Sequence, residues 1–380
     1  MRFSISLTHH DLARAERTDE AATIPAAVMT SASRDRLVAL ARAAEAGGAD
    51  AIWVSEDPEG WDAFAILTLL ATHTTAIPLG TGVTNPLLRH PNQMAAALAT
   101  LDVVSGGRAF LGMGRGEPAW YRHGLGLPVP PQPLDGLRRA IELLHAWWQP
   151  PHRVEPDGPL PAGTVFPVRN WERTITPWPA RTAPPPVIIA AAGPQALRLA
   201  GTVAEGVLFN DLASDAYLQW AIAVVRDRAV AAGRDPALLR FTYGTRVLIT
   251  DDPAPELERR RAMLALVNAL PGMDRQLTGT GHDIPVLIGA IRDVLGSDEL
   301  LARGGGFPEL RRTGRLSAAA KLVPIDLVDR LSVVGSADHV RRRLTALAAL
   351  GIGEVFVQLP DAATPPEALG GRLTALQALS

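Results

Sequence analysis

At 380 residues, with 47% hydrophobic and 20% charged side chains, the chain has enough apolar material for a sizeable core, which excludes global disorder. A net charge of -2 leaves no basic excess for a nucleic-acid surface, and the absence of cysteine excludes disulfides, thiolate metal sites and thiol nucleophiles. The N-terminal MRFSISLTHH has no secretory apolar region and no apolar run reaches the ~20 residues of a membrane span, so a cytoplasmic protein is expected.

Phe3 to Leu7 reads as a short strand closing on Thr8-His9-His10. Asp11 to Thr30 has no period and reads as a loop of a length usually reserved for function. Ser33 is the expected N-cap of a helix whose Leu37, Leu40, Ala41 and Ala44 share a stripe, ending at Gly47-Gly48. A second strand, Ala51 to Ser55, opens into Glu56-Asp57-Pro58-Glu59-Gly60-Trp61, and Asp62 caps a helix through Leu70. Pro78 to Thr84 is the third strand. Asn85-Pro86 and His90-Pro91 then break the backbone, because the residue before a proline is pushed out of the helical region. A helix follows from Asn92, with Met94, Ala97, Leu98, Leu101 and Val104 predicted on its buried stripe. Gly106-Gly107 stops it, and Ala109 to Met113 is the fourth strand, with Gly112, Gly114 and Gly116 at its carboxyl end.

After Pro118 the next element is a helix from about Leu134 to Trp148, and the proline-rich loop 149–186 shows none. Val187 to Ala192 is an apolar strand, and Gly193-Pro194 starts a helix through Leu197 and Ala200. Gly206 to Phe209 and Phe241 to Ile249 are strands flanking a helix from Ser214 to Ala232. A helical insertion is expected at about 257–329, then a helix from Ala337 to Leu350, a strand from Val355 to Gln358 and a helix from Pro365. Strands alternating with helices about eight times imply parallel pairing with right-handed crossovers. The expected fold is α/β, a (β/α)8 TIM barrel with insertions, forming one domain over 1–380. An open doubly wound sheet would carry its glycine fingerprint after the first strand; here the glycine turns follow the fourth and fifth.

Barrels place their active sites at the carboxyl ends of the strands. That rule selects His9, His10, Glu56, Asp57, Trp61, Gly82, Val83, Thr84, Asn85, the run Gly112 to Glu117, Ala190 to Pro194, and Asn210-Asp211. Each has a plainer reading beside the functional one. A glycine can serve packing, Glu56-Asp57 can be an acid pair favoured by a helix dipole, Trp61 can sit on the rim, and Glu117 can be a solvated loop carboxylate. No HExxH, histidine cluster or cysteine ligand is present, so no metal is expected. Arg89 is expected to bind loop carbonyls. The basic run Arg303, Arg311, Arg312, Arg315 and Lys321 reads as a solvated helix face, with an anionic coenzyme tail as the rarer use.

The string from Leu79 to Pro118 contains T-x-V-T-N-P, R-H-P, S-G-G-R and G-x-G-x-G-E. Together these closely resemble the bacterial luciferase-like superfamily of flavin and deazaflavin enzymes. The best match is its coenzyme F420 branch, which includes methylenetetrahydromethanopterin reductases and deazaflavin-dependent glucose-6-phosphate dehydrogenases. The resemblance implies hydride transfer between reduced coenzyme F420 and a small organic substrate, with reduction of a C=C or C=N bond, or the reverse as a dehydrogenase.

It also implies coenzyme contacts. Gly82, Val83, Thr84 and Asn85 would form a bulge with a cis Gly82–Val83 peptide that backs the ring. Gly112, Gly114 and Gly116 would supply bare backbone. Ala190, Ala191, Ala192, Gly193 and Pro194 match the A-A-x-G-P turn, whose helix start donates to phosphate. Glu56 and Asp57 stand where the branch usually shows Asp-His, so the acid is kept and the imidazole is lost. Trp61 matches a tryptophan flanking the substrate, and Glu117 the acid partner in hydride transfer, with His9 or His10 as the other proton donor. Two rival readings stay open: an FMN-dependent monooxygenase supplied by a partner reductase, and a flavin-binding barrel without catalysis. The family commonly pairs barrels, so a homodimer is expected.

Overall fold

The computed structural model describes residues 1–8, 30–56, 60–117, 120–129, 131–155, 158–160, 162–173, 183–361 and 363–379. His9, His10 and Asp57 lie outside these residues, as does nearly all of the loop before Thr30.

Eight parallel strands close into a barrel: β1 Arg2–Leu7, β2 Ile52–Val54, β3 Leu79–Thr81, β4 Ala109–Met113, β5 Val187–Ala190, β6 Gly206–Phe209, β7 Arg240–Ile249 and β8 Glu354–Val357. Each pairs with the next, and β8 pairs with β1 through Arg2 and Glu354, so no edge is left. The chain is thus the expected (β/α)8 barrel. Two small pieces were not legible. Arg153–Val154 pairs antiparallel with Trp171–Glu172 inside the stretch read as featureless, and Val334–Gly335 extends along the end of β7. Strands of two residues carry no period to read.

Most helix limits match their sequence signals, with three corrections. The first helix, Ser31–Ala46, is capped by Thr30, not Ser33. Ser33 occupies the third helical position, where its hydroxyl accepts from the Thr30 amide while Thr30 Oγ1 accepts from the Ser33 amide. The helix Pro91–Ser105 buries Met94, Ala95, Leu98, Leu101, Asp102 and Ser105, and Val104 faces solvent. Asp102 accepts from the Ala109 amide at 3.3 Å, so the helix turns that face inward. The last helix begins at Ala368, because Pro366 holds Pro365 out of the helical region and single turns from the Ala368 and Leu369 amides to the Pro365 and Pro366 carbonyls precede it.

Alternation along the strands sorts the core. Ile52 and Val54 point outward under the helices, whereas Trp53 points into the barrel with Phe110, Ile188 and Phe356. Trp53 meets Phe110 edge-on at 4.5 Å and Phe356 at 5.9 Å between ring centroids. Beneath these rings, at the amino end, lies buried Glu354. Its carboxylate accepts from Ser4 Oγ at 2.6 Å, Trp53 Nε1 at 3.0 Å and Thr242 Oγ1 at 3.2 Å, and pairs with Arg2 at 3.0 Å. Three neutral donors and a guanidinium thus compensate this buried charge.

The arginine of S-G-G-R also belongs to this end. Arg108 donates to the carbonyls of Ser105, Ile77, Ala71 and Thr74 and to Thr74 Oγ1, tying the turn before β3 to the helix before β4. Between β7 and β8, helices from Ala254 to Leu331 form the insertion around a second apolar cluster, which includes Leu264, Ile291, Leu310 and Leu327 and takes in Leu212 from the loop after β6. Arg260 joins it to the barrel, donating to Glu256 at 3.1 Å, Asp211 at 3.2 Å and the Arg246 carbonyl at 2.5 Å.

Candidate active site at the carboxyl end of the barrel

Above the aromatic floor, the next inward positions are Ser6 on β1, Ser55 after β2, Gly82 after β3, Gly112 on β4 and Ala190 on β5. All are small, and Gly82 and Ala190 are only half-buried. On these five strands the barrel is packed below by rings and lined above by side chains of at most two heavy atoms, while Leu208 on β6, level with Ala190, and Arg246 on β7, which donates to Ser6 O at 3.4 Å, stand on the other side. A planar ligand needs a surface of this kind.

The turn after β3 supplies much of the rim. The Gly82–Val83 peptide is cis, as the resemblance implied. Val83 leans over β4: Cβ atoms built on Gly112 and Gly114 would lie 3.1 and 3.3 Å from its methyl groups. A Cβ on Gly112 would also collide with Thr81 O. Gly112 and Gly114 thus make room for the turn itself. Thr84 extends the pairing, its amide donating to Gly112 O at 3.0 Å and its carbonyl accepting from the Gly114 amide at 2.8 Å.

Asn85 Oδ1 accepts from the Leu87 and Leu88 amides at 3.0 and 3.2 Å, and its Nδ2 donates to the Tyr121 hydroxyl at 2.8 Å. This contact joins the β3 turn to the loop after β4. Gly116 lies between the two in a left-handed conformation (φ 73°), where a Cβ would press on the Tyr121 ring and Asn85. Tyr121 was not singled out from the sequence, since nothing local marks a tyrosine whose partner lies 36 residues earlier.

Glu56 and Arg89 form the charged part of the rim. Glu56 is 7% exposed, with one carboxylate oxygen accepting from Arg89 at 3.0 and 2.8 Å and the other from Thr84 Oγ1. Arg89 also donates to Asp62 at 2.5 Å and lies over the Phe64 ring at 5.1 Å. The loop carbonyls expected for Arg89 are thus replaced by two carboxylates, which repay the burial of a guanidinium better than neutral acceptors do. Burial raises the Asp62 carboxyl, but the Arg89 hydrogen bond and charge and the Ala65 amide outweigh it and hold the group below its ordinary range.

The stability this gives Asp62 is therefore complete above its unfolded value, ~3.9, and is lost as pH falls through the lower folded value. Arg89→Gln should cost most at pH 7, and its deficit in urea midpoint should shrink toward pH 3. An equal deficit at both pH values would mean that the pairing contributes nothing.

Trp61 donates its indole N–H to Ser55 O at 2.9 Å, which fixes the ring beside the end of β2. Glu117 stands half-buried on the loop after β4, its carbonyl accepting from the Tyr121 amide at 3.3 Å and its carboxylate 3.9 Å from Arg115. On the opposite side, Gly193 opens the helix Pro194–Val203 as an N-cap without a side-chain partner, and a Cβ there would meet nothing within 4 Å. Ala192 O beside it accepts from the Tyr217 hydroxyl at 2.7 Å, and burial keeps that phenol protonated well above its ordinary range. Gly112 and Gly193 look alike in sequence, but one is filled by its own fold and the other faces open space. Among the described residues, no cluster of histidine and carboxylate side chains could hold a metal ion.

The chain resembles 5,10-methylenetetrahydromethanopterin reductase of Methanopyrus kandleri, at 26% identity over 338 residues, 86% of this chain and 89% of that protein. It also resembles the F420-dependent glucose-6-phosphate dehydrogenase of Beutenbergia cavernae, at 32% identity over 288 residues, 72% of this chain and 79% of that protein. Its fold matches the solved coenzyme F420-dependent tetrahydromethanopterin reductase of Methanopyrus kandleri with a TM-score of 0.69 and 24% identity, covering 98% of this chain and 97% of that one. The family model described as luciferase-like monooxygenase matches residues 1–354, and the chain belongs to that family.

Proposed function

We propose that the protein is a coenzyme F420-dependent oxidoreductase that moves a hydride between the deazaflavin and an organic substrate, with a C=C or C=N bond as the bond reduced. The observation that carries this is the layer of Ser6, Ser55, Gly82, Gly112 and Ala190 above the ring-filled floor, flanked by the uncapped helix start at Gly193. The relatives named above as F420-dependent agree with it. When bound, the coenzyme supplies the hydride chemistry.

The chain's own residues orient, shield and protonate. The turn Gly82 to Asn85 backs the ring, and the turn Ala190 to Pro194 takes the phosphate through the amides that open its helix. Glu117 passes the proton at its carboxylate, and Trp61 bounds the substrate side. Glu56 holds the rim in shape, because both of its oxygens are engaged by Arg89 and Thr84. The substrate is a small molecule, and a homodimer is the expected assembly. Among the described residues no helix is long and apolar enough to cross a membrane.

The description of the family as a monooxygenase favours a second reading, FMN-dependent oxygenation. Fluorescence titration separates the two. The deazaflavin should bind at least tenfold more tightly than FMN, a gap of about 1.4 kcal/mol. Reversed affinities would transfer the protein to the second reading.

A further inference from the structure

Ser55 is 9% exposed, and among the described residues its hydroxyl has no hydrogen-bond partner. Its backbone is fully employed: the amide donates to Leu7 O at 3.0 Å and the carbonyl accepts from Trp61. Alternation fixes its direction. Ile52 and Val54 point out to the helices and Trp53 points in, so Ser55 points in, one step above the Trp53 ring. Its neighbours along the strand end are the Leu7 carbonyl and the turn at Gly82 and Val83, where the Glu56 amide donates to Val83 O at 3.4 Å. A buried hydroxyl without a partner is costly to a fold, and alanine would fill the position more cheaply. Groups of this kind collect where a site is built for something other than stability.

We propose that the Ser55 hydroxyl is a ligand-binding group that donates a hydrogen bond to a heteroatom on the edge of the planar ring seated over Trp53. The proposal rests on the deazaflavin reading above and adds a contact to it. It makes two predictions that oppose each other: removing the hydroxyl weakens binding yet does not weaken the fold. A structural serine would do the reverse.

The test compares wild type, Ser55→Ala and Ser55→Cys, using coenzyme F420 and a deazaflavin ring fragment that lacks the phosphate tail. Ser55→Ala should weaken both ligands by the same factor, about fivefold to tenfold, the net worth of one hydrogen bond. Its Tm should equal or exceed that of wild type. Ser55→Cys keeps the volume with a poorer donor and should also bind less tightly than wild type; full recovery with cysteine would mean that alanine had only left a void. Unchanged affinity in Ser55→Ala would assign the hydroxyl to a bound water, and loss for the whole coenzyme alone would assign it to the tail. Either result, or a Tm several degrees lower, overturns the proposal. Failure of wild type to bind either deazaflavin would instead remove the reading on which it rests.

Discussion

Glu117→Gln should lower the rate with the true substrate by ~10²–10⁴, the usual worth of general acid catalysis, and leave coenzyme affinity nearly unchanged. Glutamine keeps the size and the polar contacts of the side chain but has no proton to give. The rest of the loop is held independently: the Glu117 carbonyl accepts from the Tyr121 amide, Asn85 holds the Tyr121 hydroxyl, and Gly116 supplies the left-handed turn between them. Only the carboxyl group is therefore removed. Single-turnover rates across pH, beside a coenzyme titration, distinguish the outcomes. If the rate barely moves, Glu117 is a bystander and the proton comes from His9 or His10.

The opposite end of the barrel should respond in the opposite manner. Glu354→Leu should cost about 3 kcal/mol or more of stability, because it leaves three buried donors unsatisfied at roughly 1–3 kcal/mol each. It would strand Ser4 Oγ, Trp53 Nε1 and Thr242 Oγ1 inside the barrel and leave Arg2 without its anion. The leucine methyls cannot accept a hydrogen bond, so each donor loses water and gains nothing. Urea unfolding measures the loss, while kcat of the folded fraction should hold, because these groups lie under the rings and not above them. A loss below 1 kcal/mol would mean that the amino end hydrates itself. Together the two variants would separate chemistry at the carboxyl face from stability at the amino face.

Much of the fold was legible because long strands and helices repeat their pattern. The apolar strand Val187–Ala190, the capped helix after Asp62 and the glycine stop at Gly106 each carry a local signal. Where a signal was short or shared it misled. Thr30 and Ser33 are both good caps, and only the reciprocal bonds between them show which one precedes the helix. Val104 fits the helical spacing as well as Ser105, but a buried Asp102 contact sets the roll.

The site was less legible, for a physical reason. Glu56, Asp62 and Arg89 were each singled out, but their mutual pairing spans 27 to 33 residues and depends on how the turns fold back. The open position of Gly193 and the filled one of Gly112 are likewise products of packing, which a glycine does not announce. Ser55 was read only as the last residue of a strand. Its significance is an absent partner, and no sequence displays one.

The insertion and the barrel bury separate apolar clusters. Substitutions deep in one cluster should add to those deep in the other, whereas Leu212, from the loop after β6, packs inside the insertion's own cluster and couples the two. The seam between them is broad: the Ser214 amide and hydroxyl donate to the carbonyls of Gln276 and Thr278, Arg275 lies over the Trp220 ring at 5.7 Å, and the Tyr243 hydroxyl donates to Leu331 O. Arg260 is the most branched of these links. It holds Glu256 on one side and Asp211 and the Arg246 carbonyl on the other, so a change there is felt by both bodies at once, and variants of the two that are harmless alone become interdependent through it.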